Sequence, residues 1–128
     1  MLRKALVALR TSEDLQRITS LLKRMEEHPR LVVSTLEFHD LADSTVAKIE
    51  HIIPNDKLIQ NLNGFEFEIA RLDYRAERLP ASAFVEEAIK SNCDIIIVAS
   101  SAKSGLFHTD LGSTLAGNSS IPVLVVQR

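Results

Sequence analysis

A chain of 128 residues is close to the commonest domain size and can bury one sound core, so residues 1–128 read as a single domain. Hydrophobic residues make up 45% and charged residues 25%, with a formal net charge of −2, which excludes a collagen-like or low-complexity chain and offers no general attraction to nucleic acid or to an anionic membrane. No apolar run approaches the roughly 20 residues that span a bilayer, and a lone cysteine, Cys93, excludes an internal disulfide and fits a reducing, cytoplasmic setting.

Met1-Leu2-Arg3-Lys4 leads straight into a first strand, Lys4-Ala5-Leu6-Val7-Ala8-Leu9, and not into a signal peptide with its cleavage site. Thr11-Ser12-Glu13-Asp14 then starts a helix, since Thr11 or Ser12 can cap it and acids favour its first turn. Leu15, Ile18, Leu22 and Met25 recur at helical spacing and predict a helix running to about His28-Pro29. Leu31 to Leu36 reads as the second strand.

Residues Glu37 to Gly64 carry the weakest pattern. Two readings stay open for Ser44 to Ile53, a curtailed helix buried through Val46, Ile49 and Ile53, or a floppy loop. Pro54 ends or kinks it, and Asn55 to Asn63 restarts a helix before Gly64. From Phe65 to Leu72 the chain alternates, with Phe65, Phe67 and Ile69 on one side and Glu66 and Glu68 on the other. Alternation of this kind marks a half-exposed strand at a sheet edge. Pro80 opens the next helix, with Phe84, Val85, Ala88 and Ile89 expected inward and Glu86, Glu87 and Lys90 outward.

Ile95 to Ala99 has no polar face and reads as a central strand of a parallel sheet. Cys93, just before it, reads as a packed thiol. A small-residue loop, Ser100-Ser101-Ala102-Lys103-Ser104-Gly105, follows, then a short helix and a last apolar strand, Val123 to Val126. Alternating strands and helices imply a mostly parallel α/β sheet with right-handed crossovers. In such a sheet a ligand lies beyond the carboxyl ends of the strands.

No phosphate-binding Gly-x-x-x-x-Gly-Lys loop and no Gly-x-Ser-x-Gly nucleophile turn occurs. His28, His39, His51 and His108 lack metal-ligand spacing, and the first strand ends without the acidic pair that would hold Mg²⁺ in a receiver domain. No nucleophile stands with a base. The expectation is therefore no catalytic residue, no metal and no enzymatic activity.

The C-terminal third resembles the universal stress protein family. That family's signature is Gly, two residues, Gly, nine residues, Gly, then Ser or Thr, followed by a helix and a strand often reading Pro-Val-Leu-Val-Val. Gly112-Ser113 fills the final pair, and Pro122-Val123-Leu124-Val125-Val126 matches the strand. Ala99 and Ala102 stand where the first two glycines belong. The resemblance implies an α/β fold with a five-stranded parallel sheet of order 3-2-1-4-5 and helices on both faces, Rossmann-like and similar to the adenine nucleotide alpha hydrolases. That order sets the first and fourth strands side by side, so a crevice should open between Leu9–Ser12 and Ala99–Ser104.

In ATP-binding members a small-residue loop and a helix N-terminus wrap the phosphates, because inward N–H groups and the helix dipole favour an anion. By resemblance the candidate binding residues at the strand ends are Leu9, Arg10, Thr11 and Ala99. The loop would supply Ala102, Lys103, Ser104 and Gly105, and the following helix Gly112, Ser113 and Thr114. Two added methyl groups narrow the cradle, at a cost of about 1 kcal/mol or more each where the backbone needs positive φ. The family often carries an Asp for the ribose at the end of strand one, where this chain has Arg10; two roles stay open for Arg10, binding an acidic group of a ligand and, the preferred reading, pairing with an acid of the protein itself.

The resulting expectation is a cytoplasmic, non-enzymatic, universal stress protein-like domain with weak or absent binding of ATP or AMP. Members commonly dimerise through the last strand, so Val123, Leu124, Val125, Val126 and Gln127 are the expected homodimer edge. Two other readings stay open: a regulatory ligand-binding domain attached to or acting on a membrane transporter, and an ATP-binding switch of the standard family type; the partner at the site would be an adenine nucleotide or another small anion, with no insertion into a membrane.

Overall fold

The computed structural model describes residues 3–38, 53–74, 80–99 and 120–126, with the side chains of 36–38, 73–74 and 80 excepted. Its elements are β1 (Lys4–Leu9), α1 (Ser12–Lys23), β2 (Arg30–Phe38), α2 (Asn55–Asn61), β3 (Phe67–Tyr74), α3 (Pro80–Lys90), β4 (Ile95–Ala99) and β5 (Val123–Val126). The five strands form one sheet of order β3-β2-β1-β4-β5, every neighbouring pair parallel. This is the α/β architecture and strand order expected from the resemblance.

β1 is central because both its faces are apolar. Leu6 and Ala8 project to one side of the pleat, and Ala5, Val7 and Leu9 to the other. β4 repeats the pattern beside it, with Ala5 in register with Ile95 and Ala8 with Val98. The first face packs against Ala81, Phe84 and Ala88 of α3. The second packs against Leu15, Ile18 and Leu22 of α1 and Leu58 of α2. Burial of each such leucine or isoleucine contributes about 1.5–3 kcal/mol.

Thr11 caps α1, its hydroxyl accepting the Asp14 N–H at 3.1 Å. The helix stops at Lys23, short of the expected His28-Pro29. Two turn bonds close it, the Arg24 N–H donating to the Leu21 carbonyl at 3.0 Å and the Met25 N–H to the Leu22 carbonyl at 3.1 Å. Beyond it Glu26 and Glu27 would set two carboxylates at the negative pole of a longer helix, and Pro29 disfavours helical backbone at His28. Met25 still packs on the core, so the apolar stripe outlasts the helix.

Pro54 precedes α2 in an extended conformation, and Gly64 ends the segment with φ +97°. A Cβ at Gly64 would meet nothing within 4 Å, so its need for glycine is one of backbone conformation alone. β3 begins two residues later than the alternation suggests, and it is the sheet edge that alternation predicts. The expected helix over Ser44 to Ile53 lies outside the described residues except for Ile53, which is buried.

α3 begins at Pro80 as expected and buries Phe84 and Ala88. Ile89, expected inward, is 55% exposed. The stripe is centred on Ala81, Phe84 and Ala88, and Ile89 lies roughly 100° around the helix from Ala88. Asn92 adopts φ 57°, the Asn92 N–H donates to Ile89 O at 3.1 Å and the Cys93 N–H to Ala88 O at 2.9 Å. These two bonds and the left-handed residue make a Schellman closure.

Candidate functional site

The chain leaves β1 towards β2 on one side, while β4 and β5 lie on the other. The β1/β4 boundary is therefore the point where the winding reverses, and a crevice is expected beyond the carboxyl ends of these two strands. Leu9 and Ala99 end the strands, both buried. Arg10 and Thr11 follow β1 directly.

Arg10 does not face solvent. Its side chain is 8% exposed, and Nη2 donates to the carbonyl oxygen of Ala99 at 3.1 Å. Its Nε lies 3.4 Å from Oδ2 of Asp14, an ion pair without hydrogen-bond alignment. The Arg10 main-chain N–H donates to the same Oδ2 at 3.1 Å. Arg10 thus pairs with an acid of the protein, as the sequence suggests.

Asp14 is the residue that sequence reasoning missed. Its side chain is 4% exposed, and Oδ1 accepts Nη2 of Arg17 at 3.2 Å. Arg17 in turn reaches Oε1 of Glu13 at 3.9 Å. The available signal was Thr11-x-x-Asp14, a capping-box spacing. That spacing announces a helix start; it does not announce that the carboxylate turns back under the strand end to hold a buried guanidinium.

Chemically, two arginines and two carboxylates cancel in charge here, so the cluster presents no excess of either sign. Asp14 has partners on both oxygens, and Arg10 spends Nη2 on Ala99. The arrangement holds two strand ends together and contains no nucleophile with a base.

The structure brings together Leu9, Arg10, Thr11 and Ala99 of the expected site. Ala102, Lys103, Ser104, Gly105, Gly112, Ser113 and Thr114 lie outside the described residues, as does Gln127 of the expected edge. Val123 to Val126 form the edge strand β5, where Leu124 is 38% exposed.

At the opposite end of the sheet, two open hollows are lined by Arg3, Lys4, His28, Arg30, Glu66 and Asp94 among others. The ion pairs that cross them, Arg30–Glu66 at 3.2 Å and Lys4–Glu68 at 3.8 Å, are exposed and hold little energy. Cys93 is buried, and burial pushes its thiol pKa up, so it is held as the protonated, unreactive form. Among the described residues no group of His, Cys, Asp and Glu is arranged to hold a metal, and no helix is long and apolar enough to cross a membrane.

No protein-family model matches the sequence, and no curated protein matches it with significance. Solved structures do match. A universal stress protein in complex with cAMP is 18% identical, with 98% of this chain and 97% of that chain covered and a TM-score of 0.65. A universal stress protein family protein from Arabidopsis thaliana with AMP bound is 12% identical, covering 98% and 91%, with a TM-score of 0.64. A universal stress protein from Archaeoglobus fulgidus is 14% identical, covering 97% and 93%, with a TM-score of 0.62. The chain therefore has the fold of the universal stress proteins, over nearly its whole length.

Proposed function

We propose that this chain is a non-enzymatic, universal stress protein-like domain in which binding of adenine nucleotides at the β1/β4 crevice is weakened or lost. Structures of like fold hold cAMP and AMP. The observation that supports a difference in this chain is the Arg10 side chain, which reaches from Asp14 to Ala99 across the carboxyl ends of β1 and β4. Ala99 itself adds a methyl where the family pattern has glycine. A cytoplasmic location and a two-fold dimer through β5 belong to the same proposal. The exposure of Leu124 on an unpaired strand edge supports the dimer.

The test is direct. Protein purified without added nucleotide is heated, and the released small molecules are identified by mass spectrometry. The expected result is no stoichiometric nucleotide, and calorimetric titration with ATP or AMP gives a Kd of about 1 mM or weaker. Stoichiometric adenine nucleotide would overturn the proposal.

A further inference from the structure

We propose that Asp14 positions Arg10 as an internal plug, so that this one buried ion pair keeps the crevice closed to adenine nucleotides. The inference rests on the reading of the crevice given above and adds its cause. An arginine just past a strand end ordinarily runs its stem along the surface and leaves its head in water. Arg10 does the reverse, with a side chain only 8% exposed. Burying a guanidinium is costly unless acceptors surround it. Two acceptors do so here, from different parts of the chain: the carboxylate of Asp14 in the first turn of α1 and the carbonyl of Ala99 at the end of β4.

Asp14 is itself fixed before it meets the guanidinium. Its N–H is held by the Thr11 hydroxyl at 3.1 Å, its Oδ2 takes the Arg10 main-chain N–H at 3.1 Å, and its Oδ1 takes Arg17 at 3.2 Å. The carboxylate is thus preorganised, and the Arg10 side chain closes onto it. A nucleotide entering between β1 and β4 needs the volume that the Arg10 side chain fills. It also needs an acceptor for its sugar hydroxyls, and the carboxylate at hand is already engaged. Removing the Arg10 side chain empties the gap and relieves Asp14 of its ion pair, leaving the main-chain N–H of residue 10 on Oδ2 and a second lone pair of that oxygen open to a hydroxyl donor.

The experiment compares wild type, Arg10→Ala, Arg10→Met and Asp14→Asn by calorimetric titration with ATP and with AMP, each variant checked for a cooperative thermal transition. Arg10→Ala is expected to gain affinity by about tenfold or more. Arg10→Met, which keeps the length of the side chain, is expected to gain less than Arg10→Ala. Asp14→Asn, in which Arg10 loses its charged partner, is expected to fall between wild type and Arg10→Ala. A folded Arg10→Ala with no gain overturns the plug while leaving the weak-binding reading intact, whereas tight binding by wild type overturns both. Should Arg10→Ala fail to fold, the wild-type protein decides by NMR. The Arg10 Nε–H is expected to exchange slowly with solvent and to lose that protection in Asp14→Asn. Fast exchange in wild type overturns the proposal.

Discussion

Asp94 and Lys4 grip each other twice: the Asp94 N–H donates to the Lys4 carbonyl at 2.7 Å, and Oδ2 of Asp94 accepts the Lys4 N–H at 3.1 Å. The same Oδ2 accepts the Arg3 N–H at 2.8 Å. The start of β4 is thereby clasped to the start of β1, at the end of the sheet opposite Arg10. These main-chain bonds, from Arg3 and then Lys4, hold the Asp94 carboxyl below its ordinary range. A carboxylate whose folded pKa is depressed stabilises the fold in full above its unfolded value of about 3.9, and that contribution is lost as pH falls through the lower folded value. Asp94→Asn should therefore be less stable than wild type at pH 6, and the gap in urea midpoint should shrink steadily below about pH 4. A gap that stays constant to pH 2 would show that the carboxylate charge is not what the clasp uses.

At the other end of the same two strands the buried pair sets a larger effect. Asp14→Ala leaves the Arg10 guanidinium buried beside the Ala99 carbonyl without its carboxylate, so about 3 kcal/mol or more of unfolding free energy should be lost. Glu13→Ala acts on a side chain that is 61% exposed and lies 3.9 Å from Arg17, and should cost less than about 1 kcal/mol. Urea denaturation of the two variants side by side checks the ratio. Equal losses would mean that the Asp14 carboxylate is not compensating a buried charge.

The strands were legible because burial on both faces leaves a mark that no neighbour can erase. Lys4 to Leu9 and Ile95 to Ala99 occupy the bounds that their apolar runs suggest, and so does Val123 to Val126, although that run lies half-exposed at the sheet edge. Helix ends were less legible, since side-chain periodicity does not sense the dipole: Met25 continues the α1 stripe, yet the helix has already closed at Arg24. Ile89 shows the same limit in another form. A large apolar residue near a stripe reads as core, and only the helix rotation shows that Phe84 and Ala88 fill the face first. At the site, Arg10 was legible as a substitution in the family pattern, but Asp14 was not legible as its partner. Local spacing assigns Asp14 to a cap, and the return of its carboxylate to the strand end is a tertiary fact. The resemblance carried the strand order, which periodicity cannot supply.

Two residues at turns carry a backbone requirement of about equal size. Asn92 sits at φ 57° in the closure of α3, and Gly64 at φ +97° before β3. Asn92→Ala and Gly64→Ala should each lose about 1–2 kcal/mol, because an added or non-adapting Cβ strains positive φ whatever the space around it. Asn92→Gly should stay within about 0.5 kcal/mol of wild type, since glycine accepts this conformation freely. Thermal melts of the three variants give the comparison. A neutral Gly64→Ala would mean that the turn can relax to negative φ.

The proposed dimer makes a prediction at the far edge of the sheet. Among the described residues β5 hydrogen-bonds to β4 on one side only, and its Leu124 is 38% exposed on the face opposite Val123 and Val125. An apolar edge strand left open pairs with whatever strand meets it, and a second copy is the partner always present at high concentration. Light scattering after size exclusion should give twice the chain mass for wild type. Leu124→Glu places a charge on each copy at the two-fold contact, where like charges repel and are poorly solvated, and should halve the mass without lowering the melting temperature of the monomer fold by more than the lost association accounts for. Lys4→Ala, at the amino end of β1 and away from that edge, should leave the mass unchanged. A wild type that elutes as a monomer, or a Leu124→Glu that still scatters as a dimer, would place the association elsewhere or remove it.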